Sequence, residues 1–88
     1  MTARPDLSFV RAAASPRTLT RREREILLHL ATGSPYKTVA RNLGIAQATV
    51  KTHAATVRLK LDVASNIEAV VLALRCGLIT LDEVVPRG

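Results

Sequence analysis

An 88-residue chain with a formal charge of +6 has room for one domain around a small core. Its 48% apolar content excludes a disordered chain, no segment approaches the ~20 apolar residues of a membrane span, and the lone Cys76 excludes an internal disulfide. The remaining charge pattern points to an anionic partner, because the excess is concentrated in residues 19–61, where eight Lys and Arg face two Glu.

Residues 1–18 show no sustained period and read as a basic tail or linker, with Leu7, Phe9 and Val10 able to dock as a short helix. The first clear start signal is Thr20-Arg21-Arg22-Glu23, which fits a reciprocal capping box. Ile26, Leu27, Leu30 and Ala31 then recur at helical spacing, and Gly33 closes the element in a left-handed turn. Pro35 suits the first turn of a second helix, with Val39, Ala40 and Leu43 as its apolar stripe and Gly44 as its stop. A third helix is expected from about Ala46 to Leu61. Its narrow core stripe is Val50, Ala54, Val57 and Leu61, and its opposite face carries Ala48, Lys51, Thr52, Ala55 and Thr56.

Ser65-Asn66-Ile67-Glu68 is a second capping signal and opens a fourth helix ending at Gly77. Its run Val70-Val71-Leu72-Ala73-Leu74 is apolar on more sides than a small domain can bury, so a partner surface is expected on it. Cys76 is expected as a small buried apolar residue, and His53 as a packed structural histidine. The folded domain is placed at residues 19–82 and a C-terminal tail at 83–88.

The short helix, the turn with Gly44 and the longer helix with a small polar face form a helix-turn-helix pattern. A helix entering a groove about 12 Å wide needs short outward side chains near its start, with Lys or Arg for phosphates and guanine edges. Residues from Gln47 to Thr56 meet that need. No Ser-His-Asp set, paired inward carboxylates, Gly-rich phosphate loop or metal-ligand spacing is visible, so neither an enzyme nor a cofactor or metal site is expected.

The runs LTRREREILLHLATG, KTVARNLGIAQATVKTHAATVRLKLDV and IEAVVLALRCGLI resemble the LuxR-type (GerE-like) output domain over roughly Leu19 to Ile79. The resemblance implies an all-α, four-helix DNA-binding bundle that dimerises through its last helix. It departs from the usual pattern at Pro35-Tyr36, where Ser-Asn is common, at Thr38, at His29, at Ala46, where a capping Ser is frequent, and at Asn66, where Arg is usual. Val71 and Leu72 also replace residues that are often polar. Carried over by position, Lys51, Thr52 and Ala55 face bases, and Lys37, Gln47 and Thr49 sit near phosphates, with Arg58 and Lys60 reaching backbone further along. Glu68, Val71, Leu72 and Arg75 form the implied dimer surface. The expected function is a sequence-specific transcription regulator, a homodimer on double-stranded DNA in the bacterial cytoplasm and nucleoid, with no membrane partner and with RNA polymerase as a further candidate partner. The competing readings are a sigma-region-4-like adaptor of the transcription machinery, working through the fourth helix and the outward Leu59, and a non-specific nucleoid coat.

Overall fold

A computed structural model describes residues 19–85; the tail expected at 1–18 and the docking proposed for Leu7, Phe9 and Val10 lie outside the described residues. Those described form an all-helical unit of α1 (Arg21–Ala31), α2 (Tyr36–Leu43), α3 (Gln47–Leu61), α4 (Asn66–Cys76) and the single-turn α5 (Leu81–Val84). The expected four-helix bundle is present, with one short turn of helix added after it.

Each boundary follows from local chemistry. The Thr20 hydroxyl accepts from the Glu23 amide at 3.1 Å while the Glu23 carboxylate accepts from the Thr20 amide at 2.9 Å, so the capping box forms in full. Pro35 stands one position earlier than expected: it is the N-cap of α2, with extended backbone. Gly44 ends α2 at φ +68, a backbone region that costs other L-residues steric strain. The cap of α4 differs in detail from the expected box. Ser65 accepts from the Glu68 amide at 3.1 Å, but the Glu68 carboxylate takes the Ala64 amide at 2.8 Å, one residue before the N-cap.

The core divides into two clusters. One holds Leu19, Leu27, Val57, Leu61, Ala69, Ala73, Leu78 and Ile79; the other holds Ile26, Val39, Ala40, Val50 and Ala54. Neighbouring residues Ile26 and Leu27 of α1 enter different clusters, and the α3 stripe divides between them in the same way. Helices α1 and α3 are therefore the shared spine, with α2 on one side and α4 on the other. All four expected stripe residues of α3 are buried, which fixes the roll of that helix and turns its other face to solvent.

The last described turn is tied back to α1. Arg24 donates through Nε to the Leu78 carbonyl at 2.9 Å and through Nη2 to both Glu83 carboxylate oxygens at 2.7 and 2.8 Å. Val84 packs against the first cluster. Cys76, expected in the core, is exposed. The chain leaves α4 at Gly77, φ +78, and the next two residues, Leu78 and Ile79, are buried instead.

Candidate nucleic-acid interface

The outward face of α3 is built by what its inward face buries. With Val50, Ala54, Val57 and Leu61 in the core, the residues Gln47, Ala48, Thr49, Lys51, Thr52, Ala55 and Leu59 are exposed. At its first half this face is short: two Ala and two Thr surround the single long cation Lys51. The Thr52 hydroxyl donates to the Ala48 carbonyl at 3.0 Å, and the Thr56 hydroxyl to the Thr52 carbonyl at 3.0 Å. Each threonine thus spends its hydrogen on the helix backbone. Thr52 is left facing outward with its methyl group and its oxygen lone pairs, an acceptor rather than a donor.

Helix ends separate the elements into two kinds. At α1, α4 and α5 a hydroxyl side chain caps the N-terminus and a Glu stands in the first turn. At α2 and α3 there is neither a side-chain cap nor an acidic first-turn residue. The amides there remain open to an anion, and the helix dipole favours one. Lys37, exposed in the first turn of α2, and Gln47 and Thr49, exposed in the first turn of α3, flank these ends.

The backbone at Ala46 is extended, as an N-cap requires, but methyl offers no acceptor. Ala46→Ser is expected to raise stability by about 1 kcal/mol, read as a higher midpoint in urea denaturation.

Charge is distributed unequally over the molecule. Within residues 19–61 both acids are already neutralised: Glu23 by Lys60 at 2.7 Å and Glu25 by Arg22 at 3.3 Å. Lys37, Arg41 and Lys51 have no ion-pair partner among the described residues and are exposed. Arg41 escaped the sequence reading, because only its place on the last turn of α2, outside the Val39–Ala40 core stripe, marks it as available.

Two residues expected near phosphates have other partners. Lys60 is a core tie: its ammonium holds the Glu23 carboxylate, whose side chain is only 7% exposed. Arg58 donates from Nη1 to Asn66 Oδ1 at 2.6 Å and so faces α4. The expected partner surface on α4 is also reshaped. Glu68, Val71 and Arg75 are exposed, as is Ile67 at 77%, while Leu72 is half-buried against the first cluster. Ile67, Val70 and Val71 line an open apolar groove of about 630 Å³ with Leu30, Pro35 and Tyr36. His53 is half-buried on the flank of α3. No group of three metal-ligating side chains occurs among the described residues, and none of their helices is long and apolar enough to cross a membrane.

The sequence profile of bacterial regulatory proteins of the luxR family matches residues 17–73. The chain is 43% identical over 68 residues to the uncharacterized response regulatory protein YgeK of Escherichia coli, covering 77% of this chain and 46% of that protein. It is 40% identical over 68 residues to the transcriptional regulatory protein FixJ of Azorhizobium caulinodans, covering 77% and 32%. Against the nitrate/nitrite response regulator protein NarL of E. coli it is 45% identical over 53 residues, covering 60% and 24%. The chain thus spans less than half the length of these relatives. With the helix-turn-helix of α2 and α3 inside the matched span, the chain belongs to the luxR family of bacterial regulatory proteins.

Proposed function

We propose that this chain is the DNA-reading unit of a transcription regulator and that it binds a two-fold duplex site as a homodimer. The observation that carries the reading is the solvent face of α3, with Lys51 amid Ala48, Thr52 and Ala55 over a fully buried stripe. Lys51 donates to guanine or a phosphate, Ala55 meets a thymine methyl, and Thr52 accepts from an exocyclic amine or packs on a methyl. Lys37, Gln47, Thr49 and the open amides of α2 and α3 hold the phosphates that set register. The relatives named as transcriptional regulators support the same reading.

A duplex site selected from a random pool supplies the test. Lys51→Ala is expected to weaken binding by about 1–3 kcal/mol and to relax one position of the site, with Thr52→Ala smaller in size. Unchanged affinity and unchanged preference in both variants would remove α3 as the reading face. Affinity should fall steeply with salt, log K declining by about 0.9 per phosphate contact for each unit of log salt.

Dimerisation is assigned to α4, where Glu68, Val71 and Arg75 lie one turn apart and Leu72 adds its exposed edge. Half-sites then fall about 10 bp apart, one helical turn. Sedimentation with and without the duplex checks this: Val71→Asp should give a monomer on a half-site only. Leu59, 81% exposed on the far end of α3, favours an additional contact to the transcription machinery. Capture of RNA polymerase by a Lys51→Glu variant, with no DNA shift by the unmodified chain, would establish the adaptor reading instead.

A further inference from the structure

We propose that Asn66 is a positioning residue that sets the angle between the helix-turn-helix and α4. Its side-chain amide joins three helices. Arg58 Nη1, on the last turn of α3, donates to Asn66 Oδ1 at 2.6 Å, and Asn66 Nδ2 donates to Tyr36 Oη, at the start of α2, at 2.9 Å. All three side chains are half-buried. The amide has one workable orientation here. Arginine offers only donors, so the amide oxygen must face it, and the amine must then find an acceptor, which the phenol oxygen provides.

The bridge matters because of where the apolar core does not reach. Tyr36 packs on the cluster that α2 shares with the first half of α3, whereas α4 lies in the other cluster, with the second half of α3. Neither cluster joins α2 to α4 directly; the Tyr36–Asn66 hydrogen bond does. Partly shielded from water, with a charged donor at one end, the chain of two bonds resists small rotations of one helix pair against the other.

This inference rests on the DNA reading proposed above. If α4 carries the two-fold axis and α3 enters the groove, the angle that Asn66 holds determines whether two reading helices meet two half-sites at once. Its loss therefore acts on the paired site and on spacing, and not on a single half-site.

The test compares a full two-fold duplex, the same duplex with one base pair inserted between half-sites, and a half-site duplex. Tyr36→Phe removes only the hydroxyl, and Asn66→Val removes the whole bridge; circular dichroism at the assay temperature establishes that each is folded. Each is expected to bind the full site roughly 3- to 10-fold more weakly, the size of one net hydrogen bond, and to lose part of the penalty for the inserted base pair. Half-site binding stays as in the unmodified chain. Asn66→Asp, which still accepts from Arg58 and can accept from the tyrosine hydroxyl, restores the full-site affinity. Adding Asn66→Val to Tyr36→Phe gives less than the sum of the two.

Full-site affinity and spacing penalty unchanged in the folded Tyr36→Phe variant would overturn the proposal, as would equal losses on full and half sites. Lys51→Ala, run alongside, separates this from the broader reading. A loss there with unaltered bridge variants overturns the bridge alone. An unmodified chain with no preference for the full site over the half-site overturns the two-fold reading, and the bridge with it; unchanged binding in Lys51→Ala overturns the reading face.

Discussion

Leu61→Ala is expected to lower the unfolding free energy by about 3 kcal/mol, within the range for leucine truncation in a closed core. Leu61 is the last residue of α3 and is fully buried among Leu19, Leu27, Ala69, Ala73, Leu78 and Ile79. Those neighbours come from the chain before α1, from α1, from α4 and from the segment after it, so no single element can shift to fill the gap. A domain of this size has on the order of 5 kcal/mol in total, so the variant should keep under half of its stability and unfold at a much lower urea concentration. Leu59→Ala, two residues away on the same helix, should stay within about 0.5 kcal/mol, because the side chain is 81% exposed and the change leaves no void. Urea denaturation followed by circular dichroism reads both. Equal effects would mean that α3 is rolled differently about its axis, and the reading face would be lost with it.

The residues that the sequence made legible are those whose evidence is local. The apolar stripe of α3, the Thr20–Glu23 box and the left-handed stop at Gly44 each depend on neighbours within a few positions, and each is present. The roles of Lys60 and Arg58 depend on distant partners. Periodicity places both at the edge of the core stripe, and their charge suggests phosphate. Nothing near Lys60 shows that Glu23, 37 residues earlier, will be buried and in need of a cation. The same blindness applied to Glu83, whose partner Arg24 lies 59 residues away. Pro35-Tyr36 and Asn66 stood out in the sequence as unrelated oddities. Only folding shows that Tyr36 and Asn66 touch. Cys76 failed for another reason: the helical period continues the Ala69–Ala73 stripe to it, but the chain turns at Gly77 and the core closes with Leu78 and Ile79.

Glu23→Gln is expected to destabilise the domain by about 2 kcal/mol at neutral pH, because it leaves the Lys60 ammonium beside a neutral amide in a half-buried site. The carboxylate is almost fully buried and accepts from the Thr20 amide and from Lys60 Nζ. Burial alone pushes its pKa up. The hydrogen bond from Lys60, that from the Thr20 amide and the attraction of the ammonium together outweigh burial, and the carboxyl is held below its ordinary range. The direction fixes the pH dependence. An acid whose pKa is lowered by folding binds fewer protons folded than unfolded below its ordinary value, so its contribution is complete above about pH 5 and is lost as pH falls through the folded-state value. Glu83 is lowered as well, by Arg24 and the Thr80 amide, and contributes in the same direction, so the unmodified chain alone cannot apportion the loss. The comparison can: unfolding free energy measured from pH 7 to pH 3 should fall less steeply in Glu23→Gln than in the parent, the two curves converging at the acid end. Parallel curves would place the acid sensitivity elsewhere and would remove the Glu23–Lys60 pair as its source.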